Sequence, residues 1–301
     1  MMSGMPGHVV AAAGRSLELG ARPWLMGIVN ASPDSFSDAG AYPDLDARVA
    51  LGRELIAAGA DILDVGGESG ITLRPAVEVD EEIARVVPLI ERLVVELGAT
   101  VSVDTYKPLV AEAAIAAGAV IVNDVSGLRD PLLADVCART GAALVLMHTR
   151  AAPKQRLQDP TLYEDVTADV MSFLAERIGL ARSRGVRDEQ LIVDPGPDFA
   201  KTPAQTIELL RRLDELHALG RPLLLAASRK DFVGALTGRG PRERTAGTLA
   251  AIAHGVDAGA HILRVHDVAA ASDFLAVRAA LRGDAEVDAG LALSDAIRHS
   301  R

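Results

Sequence analysis

The sequence predicts a (β/α)8 barrel folded as a single domain, and three observations carry that prediction. Eight short apolar runs recur along the chain, at 25–29, 62–65, 101–103, 120–122, 144–147, 191–193, 223–225 and 262–265. They are continuous and rich in branched side chains, as parallel strands buried on both faces are. Between them lie stretches with apolar residues at helical spacing and charges opposite. DARVALGRELIAAGA at 46–60, EEIARVVPLIERLVVELGA at 81–99 and TPAQTIELLRRLDELHALG at 202–220 are examples. Several of these close on Gly, which readily ends a helix. The repeated Gly–Ala–hydrophobic junction therefore reads as helix end, turn, next strand. Alternating strands and helices imply βα units. A doubly wound open sheet shares that alternation, but eight units of nearly even length favour closure into a barrel.

No linker, low-complexity tract or break in composition divides the chain. The organisation expected is an N-terminal extension over 1–20, the barrel over 21–282 and a polar, Ala-rich C-terminal tail over 283–301. Within the extension, GRSLELG is expected to form a short strand plugging one end of the fold. Aromatic residues make up only 3%, so the core has to be built from Ala, Val, Leu and Ile. A net charge of −10 argues against nucleic acid or an anionic membrane as partner, since each requires a basic face. An anionic substrate would have to meet a local basic cluster. The first twenty residues hold no apolar run long enough for a signal peptide or a membrane span. The lone cysteine, Cys137 in ADVCARTG, excludes an internal disulfide and reads as a small buried filler. A reducing cytoplasm suits such a chain.

Barrel sites lie at the C-terminal ends of the strands. The residues found there are Asn30, Asp64 within the second run, Asp104, Asn123, His148, Asp194, Ser228 with Arg229 and Lys230, and Arg264 with His266. Each taken alone has a structural role open to it. Asp and Asn at a strand end cap helices, Lys230 can be a solvated lysine, Arg264 can pair with Asp64 across the rim, and His266 can be a cap. Barrels also fold with Ser, Thr or Gly there, so a whole rim of polar residues points to a ligand. The rim divides by chemistry. Asp104, Asn123, Asp194 and Lys230 supply acceptors, an amide and a cationic donor. Such a set suits a flat heterocycle with an amidine-like N–C–N edge, because a carboxylate accepts two parallel N–H groups. Arg264 and His266 suit one shared anion, with Arg forking onto phosphate oxygens. Asn30 offers a neutral oxygen that suits a hydrated Mg2+.

Eight ordered motifs then resemble those of the dihydropteroate synthases: MGIVNASPDSFSDAG (26–40), DILDVGGES (61–69), VSVDTYKP (101–108), IVNDVSG (121–127), LMH (146–148), DPGPDFAKT (194–202), SRKDFVG (228–234) and RVHDV (264–268). The resemblance runs from about residue 21 to about residue 281. It implies a (β/α)8 barrel that joins 6-hydroxymethyl-7,8-dihydropterin pyrophosphate to p-aminobenzoate. It implies Asp104, Asn123, Asp194 and Lys230 as pterin-binding residues, with Asp104, Asp194 and Lys230 in catalysis. Asn30 matches the Mg2+ ligand, and Asn30, Arg264 and His266 fall at the pyrophosphate, with Arg264 and His266 as its anchors. Phe199, Ser228 and Asp231 fall in the p-aminobenzoate region. A homodimer formed through late helices is also implied.

Three stretches depart from the family pattern. The loop usually written GGESTRPG reads GGESGITLRP at 66–75, so Gly70 and Ile71 stand where Thr and Arg are usual, with Arg74 nearby. The pattern DPG-x-G-F-G-K reads DPGPDFAK, with Asp198 and Ala200 for glycines. Asp231 follows the lysine where a small neutral residue is usual. The resemblance implies that this helix start receives the aminobenzoate carboxylate. Asp231 is expected either to supply an anion there itself or to act as a plain cap. The changes collect at the second substrate, leaving two main readings. One is a working synthase, and the other is a divergent paralogue that binds pterin pyrophosphate but has little or no activity with p-aminobenzoate. Corrinoid-linked methyltransferases, another class of pterin barrel, have no need of Asn30, Arg264 and His266.

Overall fold

The computed structural model describes residues 7–20, 22–31, 44–68 and 75–298, the side chains at 296 and 297 excepted. Two strands, β1 (His8–Ala12) and β2 (Arg15–Leu19), pair as an antiparallel hairpin. Eight more are parallel: β3 (Trp24–Asn30), β4 (Ile62–Gly66), β5 (Val101–Asp104), β6 (Ile121–Asp124), β7 (Ala143–Met147), β8 (Leu191–Asp194), β9 (Leu224–Leu225) and β10 (Ile262–Val265). They pair in the order β8-β7-β6-β5-β4-β3-β10-β9. A parallel bridge between Val193 and Leu223 joins the two ends and closes the barrel. Each predicted apolar run overlaps one of these strands.

The helices are α1 (Leu45–Ala57), α2 (Val79–Leu97), α3 (Pro108–Ala116), α4 (Leu132–Thr140), α5 (Val166–Ser183), α6 (Pro203–Arg211), α7 (Asp231–Thr237), α8 (Thr245–Asp257) and α9 (Val268–Arg282). A last turn, α10 (Asp295–Arg298), lies in the polar tail. Their ends follow local chemistry. Asp44, Asp165 and Asp267 accept from the third residue of α1, α5 and α9, and Thr202 with Gln205 forms a capping box on α6. Gly98 stops α2 in the left-handed conformation that the Gly junctions predict. The predicted helix over 202–220 is split. At Arg212 the chain tightens into a 3-10 turn, Leu213–Leu219, which seats Leu213 and Leu216 in the core while Arg212 pairs with Asp165.

Side chains alternate along each strand, so one parity faces the helices and the other the barrel axis. Leu63, Val101, Leu144 and Leu263 pack outward against Val86, Leu89, Ile90 and Leu93 and their like. Met26, Ile62, Ile121, Ile192, Leu224 and Ile262 face inward, in one cluster with Val10, Ala12, Leu17 and Leu19 of the hairpin. The hairpin therefore plugs the N-terminal end of the barrel. GRSLELG supplies its second strand, as expected. The first strand is not predicted, because VVAAA shows no alternation. Leu17 is buried, so Leu17→Ala is expected to cost roughly 2–4 kcal/mol in urea unfolding. Its packing lies wholly at the plugged end, so Michaelis constants should not move.

Candidate active site

Followed toward the strand C-termini, the inward parity changes from apolar to polar. Asn30 stands above Met26, Asp64 above Ile62, Asn123 above Ile121, and Asp194 above Ile192. Asp104 ends β5 in the same inward parity as Ser102, Ser228 follows Leu224 and Ala226, and Arg264 and His266 follow Ile262. Eight of the residues read from the sequence are thus brought together, and His148 is not. His148 continues the outward parity of Leu144 and Leu146. Its ring packs edge-on to Phe173 of α5 at 4.9 Å and bonds Asp169 at 2.9 Å.

Arg264 bridges two carboxylates. Its Nε donates to Asp64 Oδ2 at 2.6 Å and its Nη2 to Asp104 Oδ2 at 2.7 Å, while Asn123 Nδ2 donates to Asp64 Oδ2 at 3.2 Å. The pairing of Arg264 with Asp64 anticipated as a structural alternative is therefore present. Burial works against the guanidinium's charge, but Asp64 and Asp104 outweigh it and raise its pKa. Burial also pushes Asp104 up to about 7, opposed by Arg264 and reinforced by the charge of Asp64. Asp194 is pushed up to about 6 by burial, against a 2.7 Å hydrogen bond from Gly196 N–H and the charge of Lys230. Gly196 has φ +62, and a Cβ there would lie 2.1 Å from the His148 carbonyl oxygen, so only Gly permits this turn.

Lys230 precedes the first residue of α7, and its Nζ lies 4.2 Å from the centroid of the Phe199 ring. Burial lowers its pKa, against the charges of Asp198 and Asp194. Ser228 Oγ bonds His266 Nδ1 at 3.0 Å and accepts from His266 N–H at 3.2 Å, which fixes the imidazole beside Arg264. Asn30 ends β3, half-buried.

The departures resolve differently. Gly70, Ile71 and Arg74 lie outside the described residues. Asp231 is the first residue of α7. Its side chain is 67% exposed and paired with Arg244 Nη1 at 3.1 Å. Arg244 also donates to the carbonyls of Arg229 and Lys230, which anchors it there. A second carboxylate reaches that helix start, that of Asp198, whose Oδ2 accepts from Phe232 N–H at 3.2 Å and whose Oδ1 accepts from Thr206 Oγ1 at 3.1 Å. Asp198 and Ala200 adopt left-handed backbone, φ +67 and +52.

Sequence reasoning missed two clusters. Lys107 lies between Glu68, at 2.9 Å, and Glu82, with Tyr106 also donating to Glu68. Lys201 is wholly buried and bonds His148. Both lysines stand inside the quoted motifs, but a search confined to the first polar residue after each run passes over them.

A closed parallel barrel with an inward charged rim at the strand C-termini defines an enzyme that holds a small polar ligand. Residues 26–266 match the model of the pterin binding enzymes. The dihydropteroate synthase of Bacillus subtilis is 44% identical over 245 residues, 81% of this chain and 83% of that protein. Among solved structures, dihydropteroate synthase of Xanthomonas albilineans with 4-aminobenzoic acid superposes with a TM-score of 0.84 at 46% identity, covering 92% of this chain and 99% of that one. The same enzyme in complex with 7,8-dihydropteroate gives 0.80 at 45%, covering 91% and 98%. The chain belongs to the dihydropteroate synthase family of pterin-binding enzymes.

Two stability predictions follow from the site. Asp194 titrates near 6 when folded and near 3.8 in a free carboxyl. The folded state then binds the proton more tightly, so stability falls as pH rises through that window. Asp194→Asn is expected to melt roughly 3–8 °C above wild type at pH 8, the advantage shrinking toward pH 4. Ala200→Gly relieves a left-handed alanine and should add roughly 0.5–1 kcal/mol in urea unfolding.

Proposed function

We propose that this chain condenses 6-hydroxymethyl-7,8-dihydropterin pyrophosphate with p-aminobenzoate, giving 7,8-dihydropteroate and pyrophosphate in folate biosynthesis. The observation that carries the reading is the convergence of Asp104, Asn123, Asp194 and Lys230 on one inward rim beside Arg264 and His266. Asp194 accepts the two parallel N–H groups of the pterin's N–C–N edge. Asn123 and Lys230 bond the ring's remaining polar atoms, and Asp104 faces the methylene end. Arg264 and His266 receive the pyrophosphate. The C–O bond to pyrophosphate breaks first, and its electron pair leaves with that anion. Asp104 and Asp194 stabilise the cation spread over the pterin and its methylene carbon. The neutral arylamine, held against Phe199 and near Ser228, forms the C–N bond by position rather than by deprotonation. The proton it then releases is taken up by pyrophosphate.

Magnesium fits this arrangement. Among the described residues no group of three or more His, Cys, Asp or Glu is placed to hold a metal. Mg2+ typically keeps waters and takes few protein oxygens beside substrate phosphates. Asn30 Oδ1 would be its protein ligand, and the ion would neutralise charge on the leaving pyrophosphate. Dimerisation through late helices would cover apolar side chains exposed on α7 and α9, Leu236, Val277 and Leu281. No described helix is long and apolar enough to cross a membrane, and the lone buried thiol of Cys137 suits a reducing cytoplasm.

The test is pteroate formation by purified protein with both substrates and Mg2+. Asp194→Ala and Lys230→Ala are expected to abolish turnover and pterin binding. Wild-type affinity for dihydropterin pyrophosphate in either variant would remove the pterin assignment. The aryl end gives a separate prediction. Because Asp198 accepts from Phe232 N–H, whereas Asp231 is exposed and already paired with Arg244, Asp198→Asn should lower the KM for p-aminobenzoate by about 5-fold or more. Asp231→Ser should leave it within about 2-fold. The opposite ranking would return the electrostatic obstacle to Asp231.

A further inference from the structure

The loop 195–200 between β8 and α6 carries Asp198 and Phe199, yet it belongs to no strand or helix. What gives it a shape is Lys201, the largest wholly buried side chain of the protein's described core. Lysine is almost never fully buried without a partner. Here the ammonium has three acceptors: Gly196 O at 2.9 Å, Phe199 O at 3.1 Å and His148 Nδ1 at 2.7 Å. An ammonium carries three donors and accepts nothing, so this count satisfies it. The contact also sets the imidazole. Its lone pair is on Nδ1, and its proton on Nε2 is donated to Asp169 Oδ1 at 2.9 Å. His148 stays neutral, since burial and the charge of Lys201 hold its pKa down to about 4. Asp169 is in turn held by Arg150.

Two carbonyls three residues apart are drawn onto one nitrogen, which fixes the curvature of the loop. That curvature passes through the left-handed residues Gly196, Asp198 and Ala200. It leaves the Phe199 ring under Lys230 Nζ and the Asp198 carboxylate on Phe232 N–H. Neither Lys201 nor His148 belongs to the inward rim.

We propose that Lys201 is a positioning residue for the second substrate: its buried ammonium, oriented by His148 and Asp169, is the template on which the loop 195–200 is wound, so that Phe199 is aimed at the aryl ring. The inference rests on the function proposed above, because it takes Phe199 as the flank of p-aminobenzoate.

The test compares Lys201→Met, which keeps the side chain's length and removes its donors, with wild type and with Phe199→Ala, in the full chain with Mg2+. For Lys201→Met the KM for p-aminobenzoate is expected to rise about 10-fold or more, as misplacement of a positioned group does. The Kd for dihydropterin pyrophosphate should rise by a clearly smaller factor, through the charge that Lys201 also places near Asp194. Amide exchange across 196–200 should accelerate about 10-fold while β7 and β8 keep their protection. A wild-type KM and exchange pattern in Lys201→Met, or equal weakening of both substrates, overturns the inference. If Lys201→Met does not fold, a second pair decides. His148→Phe removes the third acceptor and should raise the aryl KM about 3-fold, whereas His148→Asn, which restores an acceptor, should not. Equal KM values in that pair overturn it. Phe199→Ala separates the two levels. A raised KM there with a normal one in Lys201→Met rejects the role of Lys201 alone. A normal KM in both rejects the aryl flank itself.

Discussion

Arg264 reaches across the barrel axis to two carboxylates, Asp64 and Asp104, and the charge balance of the rim depends on that bridge. Removing charges from water costs several kcal/mol per ion even in a relaxed protein. One guanidinium cannot fully compensate two carboxylates, and a third, Asp194, stands three strands beyond Asp104 and accepts from Gly196 N–H at 2.7 Å. Burial accordingly pushes Asp104 to about 7 and Asp194 to about 6. The free protein thus holds negative charge in a place that disfavours it. A positive charge developing on a bound heterocycle relieves that situation, and preorganised groups of this kind act most strongly where water is excluded. The same burial that weakens the ligand-free fold strengthens the site's grip on a cation.

The plug makes this possible from below. Val10, Ala12, Leu17 and Leu19 close the N-terminal end against Met26, Ile62, Ile121 and Ile192. Water is then excluded from beneath, and the rim is open only at the strand C-termini. In the proposed reaction Lys230, Arg264 and His266 are the local basic residues by which a chain of net charge −10 would receive a pyrophosphate. The acidic excess lies largely on exposed helix faces, such as Asp80, Glu81 and Glu91 of α2, away from the axis.

Much of this was legible before folding. A buried parallel strand betrays itself as a continuous apolar run, and the residue that breaks the run is the one at the rim. That logic reaches Asn30, Asp104, Asn123, Asp194 and Arg264 without coordinates. It fails where parity matters and the run does not show it. His148 follows an apolar run like the others, yet it faces α5 because β7 ends one residue out of phase. It fails also for pairings that the topology alone creates. Lys201 and His148 are 53 residues apart, and Asp198 and Phe232 are 34 apart. Periodicity carries no information about such distances. The hairpin strand β1 and the break after α6 were illegible for a local reason: VVAAA does not alternate, and the stretch through Arg212 keeps a helical pattern although its backbone tightens.

The aryl side of the site shows how a departure from a glycine pattern can be structural and functional at once. In a left-handed stretch glycine costs nothing in strain, whereas alanine and aspartate are strained there, aspartate less than most. At Ala200 the side chain gains no polar contact, and only the carbonyl is engaged, accepting from the Tyr163 hydroxyl at 2.8 Å. At Asp198 the strain gains a carboxylate that joins α6, through Thr206, to α7, through Phe232. A glycine would make neither bond. Asp198 ties the β8 loop to the β9 loop, and it holds Phe199 and Lys230 in register at 4.2 Å. The link also brings a negative charge to the helix start that an aryl carboxylate would approach. Stiffness of the two loops and affinity for an anionic second substrate are therefore opposed at a single residue.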